Sequence, residues 1–77
     1  MNIAEMNYPF ADGISNLIRD KGLKQIYIAE KAGIGKQELS DMLNGRRLIK
    51  VCDIPKIAIA LNVTSDDIYA AGKRERR

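Results

Sequence analysis

The stretch Gln25-Ile26-Tyr27-Ile28-Ala29-Glu30-Lys31-Ala32-Gly33-Ile34-Gly35-Lys36-Gln37-Glu38-Leu39-Ser40-Asp41-Met42-Leu43-Asn44 holds two short amphipathic segments on either side of a glycine-bearing turn. In the first, from about Gln25 to Ala32, the residues Ile28, Ala29 and Ala32 fall on one side of a helix and Glu30 and Lys31 on the other. In the second, from about Lys36 to Asn44, the residues Leu39, Met42 and Leu43 make the apolar side, while Lys36, Gln37, Ser40 and Asp41 project together from the outer side. Two helices joined by a turn of about three or four residues cross steeply, so the side chain at the crossing has to be small. Ala29 meets that demand. The chain reversal asks for a positive φ, which Gly33 adopts at least cost, and Ile34 is placed to plug the space between the two segments.

Working outward, residues 1–8 show no clear period and are read as an arm, with Pro9 marking the entry to a helix. In that helix Phe10, Ile14, Leu17 and Ile18 share one stripe, and Gly22 is its stop. Beyond Gly45, residues 46–52 form a loop with three apolar side chains, Leu48, Ile49 and Val51. Asp53 reads as the N-cap of a helix that admits Pro55 in its first turn and turns Ile54, Ile57, Ala58 and Leu61 inward. Thr64 reads as the cap of a last helix, with Asp66 and Asp67 near the positive end of its dipole, Ile68 as its anchor and Gly72 as its stop. Lys73 to Arg77 is then a basic tail with no apolar residue to hold it down. The expectation is an all-α fold, a compact bundle of five short helices making one domain over residues 1–77.

Composition narrows the function. A 77-residue chain supports one domain that buries about 60% of its unfolded surface, and one Phe, three Tyr and no Trp call for an aliphatic core. The longest apolar run, Ile57 to Leu61, is far short of the ~20 residues of a membrane span, and no basic residue precedes Arg19 to begin a secretory signal. An intracellular protein is expected. With no histidine and a single cysteine, Cys52, an internal disulfide, the usual zinc sites and the His-based nucleophile pairs are all excluded, and no glycine-rich phosphate loop is present. Neither enzyme activity, nor a cofactor, nor a small-molecule substrate is therefore expected. The net charge of +3 is mild, but Lys21, Lys24, Lys36, Arg46, Arg47 and Lys50 punctuate one stretch and Lys73, Arg74, Arg76 and Arg77 close the chain. Both groups suit phosphate.

The twenty residues from Gln25 resemble the helix-turn-helix unit of the Cro/C1 type (the XRE family, with a lambda-repressor-like fold). Ala29 and Gly33 stand at its fifth and ninth positions, and Ile28, Ala32, Ile34, Leu39 and Met42 line its inner faces. The likeness runs from about Phe10 to Ala71 and takes in Leu23-Lys24-Gln25 before the unit and Asn44-Gly45-Arg46 after it. It implies that the second and third expected helices form the helix-turn-helix and that the protein is a sequence-specific, DNA-binding transcription regulator of the repressor kind. The helix over 36–44 would read the major groove, with Lys36, Gln37, Ser40 and Asp41 as its base contacts. Lys suits guanine O6 and N7, Gln suits adenine N6 and N7, and Asp either accepts from cytosine N4 or rejects other sequences. Gln25 and Asn44 match positions that bond the DNA backbone, and Lys24, Arg46 and Arg47 add charge there. The resemblance further implies a homodimer on a pseudo-palindromic operator, with Ile68 and Tyr69 as candidates for its surface, and a cytoplasmic, nucleoid-associated location.

Three positions depart from that pattern. Lys24 stands where a Ser or Thr commonly caps the helix, a loss of about 1 kcal/mol. Gly35 replaces the usual Ser before the next helix at a cost of a few tenths of a kcal/mol, and Leu48-Ile49-Lys50-Val51 replaces the proline that often follows the Gly-Arg pair. The alternative from another class is a protein-binding module on the same bundle, of an antitoxin or adaptor kind; the basic loop speaks against it.

Overall fold

The computed structural model describes residues 2–74. Six helices follow in chain order, α1 (Ile3–Asn7), α2 (Phe10–Asp20), α3 (Gln25–Ala32), α4 (Lys36–Leu43), α5 (Asp53–Leu61) and α6 (Ser65–Lys73), and the described residues contain no strand. The core is aliphatic: Ile14, Ile28, Leu39, Ile57, Leu61 and Ile68 are all but closed to solvent, so every helix from α2 to α6 contributes at least one of them. Full burial of such a side chain stabilises by about 1.5–3 kcal/mol. Phe10, Leu17 and Ile18 pack at the edge of this cluster, which is the stripe expected of α2.

The expected bundle had five helices; the sixth is α1, inside the stretch read as an arm. Five residues are too few to show a period, and the helix is defined by its ends instead. Glu5 N–H donates to Asn2 Oδ1 at 2.9 Å and Asn2 N–H donates to Glu5 Oε1 at 3.2 Å, a complete capping box. At its other end the buried Asn7 side chain bonds to the backbone of residues 42, 47 and 49.

Two further expectations are corrected. Gly72 does not stop α6 but lies within it, buried, because α6 crosses α2 there at very short range. A Cβ on Gly72 would run into the Pro9 carbonyl oxygen, and one on Gly13 into the Ile68 carbonyl oxygen. Glycine is what permits the approach, and Asn16 Nδ2 then donates to Ala71 O across it at 2.9 Å. Asp53 is the first residue of α5 and not its cap. Its Oδ2 accepts from Lys50 N–H at 3.1 Å while its own N–H donates to Lys50 O at 2.9 Å, so it closes the preceding loop.

Thr64 caps α6 as expected, accepting from Asp67 N–H at 3.1 Å, and Asp67 Oδ2 accepts from Thr64 N–H at 3.0 Å. That bond from the Thr64 backbone, with the one from the Thr64 side chain, holds the Asp67 carboxyl below its ordinary value of 3.8. The part of the expected basic tail that is described is held. Lys73 Nζ lies over the Tyr8 and Tyr69 rings at 5.4 and 5.8 Å, and Arg74 pairs with Asp20 at 2.8 Å. Glu75, Arg76 and Arg77 lie outside the described residues.

Candidate nucleic-acid interface

Helices α3 and α4 are the crossed pair anticipated from the sequence. Ala29, 1% exposed, lies in the core cluster, and Gly33 closes α3 with φ +72°, the left-handed conformation that favours glycine. Ile34 packs against the core, and Leu39 and Met42 are buried under α4. Pinning one side of α4 leaves the other side committed outward. Neither α3 nor α4 has a side-chain N-cap, in keeping with Lys24 and Gly35 at those positions. Glu38 partly compensates at α4: its Oε1 accepts from Gly35 N–H at 3.2 Å, besides its charge suiting the helix dipole.

Of the expected base-contacting residues, Lys36 and Gln37 are exposed, while Ser40 and Asp41 are half-buried one turn on. The side chain of Lys36 makes no hydrogen bond or ion pair among the described residues. Gln37 Nε2 donates to Asp41 Oδ1 at 3.0 Å, and Arg46 Nη1 approaches the same oxygen at 3.7 Å. Asp41 is therefore engaged on both sides by residues of the same surface. Its backbone carbonyl accepts from Arg46 N–H at 2.8 Å and Arg47 N–H at 3.2 Å, which folds the start of the loop back against α4.

Among the expected backbone contacts, Lys24 and Gln25 are exposed at the start of α3, with no side-chain bond or ion pair among the described residues. Asn44 Nδ2 donates to Ser40 O at 2.9 Å and to Ser40 Oγ at 3.3 Å, so this residue closes the last turn of α4. Arg47 pairs with Glu38 at 3.2 Å. Each acid of α4 is thus matched by an arginine of the loop, and Lys24 and Lys36 have no ion-pair partner among the described residues. Exposed ion pairs of this kind are worth about 0–1 kcal/mol, so they hold the two arginines only weakly. In the loop, Ile49 packs on the core while Leu48 and Val51 are exposed. Sequence reasoning missed Asn7 altogether; an asparagine bonded to residues 35 to 42 positions away leaves no local pattern.

A crossed helix pair on a small aliphatic bundle, the second helix pinned by its apolar side and turning a polar, basic-flanked side to solvent, defines a DNA-binding regulator of the helix-turn-helix class. The helix-turn-helix family model matches residues 14–68, and the chain belongs to that family, in its Cro/C1 (XRE) branch. It is a DNA-binding transcription regulator. Among solved structures, the restriction-modification controller protein C.AhdI from Aeromonas hydrophila is similar in fold, with a TM-score of 0.74 at 24% identity over 80% of this chain and 94% of that one. No curated protein matches.

Proposed function

We propose that the protein is a repressor that reads the major groove with the outer side of α4. The observation that carries this is the placement of Lys36 and Gln37, both exposed, in the first turn of a helix whose opposite side is locked by Leu39 and Met42. A major groove about 12 Å wide admits such a helix. In this reading Lys36 and Gln37 touch base edges, Ser40 and Asp41 follow one turn later, and Lys24, Gln25, Asn44, Arg46 and Arg47 hold the phosphates on either side. Asp41 acts by exclusion: tied to Gln37 and Arg46, it repels phosphate and penalises bases with no amine to offer.

One helix of this length contacts too few base pairs for tight specific binding, so the protein pairs as a homodimer on a pseudo-palindromic operator. Extents of 29 × 23 × 20 Å let two copies sit side by side with their α4 helices about 34 Å apart. Ile68, one of the two residues expected at the dimer surface, is wholly buried and serves the core; Tyr69 is exposed and keeps that role. No described helix is long and apolar enough to cross a membrane. An intracellular protein that acts without a small-molecule substrate fits this reading.

Selection from random duplexes tests the proposal. The wild-type protein should recover two half-sites about 10–10.5 base pairs apart, or a multiple of that. Lys36→Ala and Gln37→Ala should each relax a different base position, by roughly 5- to 150-fold in discrimination, the equivalent of about 1–3 kcal/mol. A folded protein indifferent to every duplex at low salt would overturn it.

A further inference from the structure

Helix α1 lies outside the residues that match the helix-turn-helix family, yet it ends on the DNA-facing loop. Asn7, its last residue, is 2% exposed, and its carboxamide is used at every hydrogen. Nδ2 donates to Met42 O at 3.0 Å, in the last turn of α4, and to Arg47 O at 2.9 Å. Oδ1 accepts from Ile49 N–H at 2.9 Å. One planar side chain therefore joins the end of α4 to both sides of Leu48, and Ala4 of the same helix sits against Gly45, where an added Cβ would come within 2.9 Å of its own.

Elsewhere the loop is fixed by its ends and by side chains: Ile49 packs on the core, and the exposed pairs Arg46–Asp41 and Arg47–Glu38 tie it to α4. The N–H groups of Arg46 and Arg47 share the Asp41 carbonyl, and Lys50 bonds Asp53 at the far end. Between these, the Arg47 carbonyl and the Ile49 amide are held by Asn7 alone among the described residues. Phosphate contacts give register as well as affinity, so cations on a wandering loop lose both.

We infer that Asn7 is a positioning residue for DNA binding: through it α1 clasps the loop that carries Arg46 and Arg47 to the end of α4, so that both guanidinium groups meet the duplex backbone while α4 is in the groove. This rests on the reading that α4 and the loop face DNA. It assigns α1 a role that the matched family residues do not contain.

The experiment is a salt series of duplex titrations on the full chain, with the duplex recovered by selection, run on the wild type, Asn7→Ala, the double variant Arg46→Ala/Arg47→Ala, and all three changes together. Each phosphate contact contributes about 0.9 to the slope of log K against log salt. The double variant should lose about 2 from the wild-type slope, Asn7→Ala should lose 1 to 2, and adding Asn7→Ala to the double variant should change the slope no further. A mere loss of stability weakens binding without moving the slope, provided each titration is run below the unfolding transition. An unchanged slope in Asn7→Ala, or a further fall in the triple variant, overturns the inference. Should Asn7→Ala fail to fold, amide exchange in the wild type decides: Ile49 N–H protected like the amides of α4 supports the clasp, and exchange as free as that of an open loop refutes it. A wild-type chain that binds no duplex refutes the DNA-facing reading itself, which is a different result from duplex binding with an unaltered slope.

Discussion

Replacing Gly13 by alanine tests the packing on which the whole bundle is hung. In an isolated helix the change would be favourable, since alanine is better than glycine in a helix interior by about 1 kcal/mol. Here the new Cβ would meet the Ile68 carbonyl oxygen well inside contact distance, with the Ile68 carbonyl carbon at 2.9 Å and Gly72 N at 3.1 Å. These are backbone atoms of α6, so no side chain can swing aside and the two helices must part by more than about 1 Å. Overpacking of that kind costs about 1–3 kcal/mol. Parting α2 from α6 also stretches the bond from Asn16 to Ala71 O, worth about 1 kcal/mol, and loosens the core cluster to which Ile14 and Ile68 both belong. Set against the propensity gain, the net destabilisation is about 1–3 kcal/mol, which lowers the melting temperature of a domain this size by roughly 4–24 °C. Urea and thermal unfolding followed by circular dichroism measure it, and Gly72→Ala, aimed at the Pro9 carbonyl, should behave alike. A Gly13→Ala protein as stable as the wild type, or more so, would refute the reasoning, because only the propensity gain would then be operating.

Other outcomes follow from single side chains. Lys24→Ser restores a cap to α3 and should raise stability by about 1 kcal/mol while lowering the salt slope of DNA binding by about 0.9, so that unfolding and titration move in opposite senses. Asp41→Asn removes a negative charge from the outer side of α4, and in competition titrations it should tighten binding to arbitrary duplexes while narrowing the margin over them held by the selected site. The Asp67 carboxyl is held below 3.8 by the Thr64 backbone and side chain, so its contribution is complete above that value and is lost as pH falls through the lower folded-state value. Asp67→Asn should accordingly flatten the acid limb of a stability-against-pH curve and leave its slope near neutral pH unchanged.

The helices from α2 to α6 were legible because each carries an apolar stripe at helical spacing, and Ala29 and Gly33 were legible because a steep crossing and a tight reversal leave little choice of residue. What escaped depends on partners distant in the chain. Gly72 looks like a helix stop until Pro9 is seen against it, and Asp53 looks like a cap until Lys50 is seen to donate to it. Ile68 was read both as an anchor and as a dimer residue, and only its complete burial separates the two. α1 has its apolar Ile3 and Met6 exposed and so offers no stripe; the one local sign of it was the pair Asn2 and Glu5 at capping-box spacing. At the interface, the polar outer side of α4 could be read, but the pairings of Glu38 with Arg47 and of Asp41 with Gln37 and Arg46 could not, because they depend on how the loop returns.

The most direct measurement is an amide and side-chain NMR titration of the wild-type protein with its selected duplex. The account predicts that the largest shifts fall on Lys36 to Asp41, on the Gln37 carboxamide and on Arg46 and Arg47, with the buried faces of α2 and α6 barely moved. Shifts concentrated on another surface, with α4 unperturbed at saturation, would contradict it.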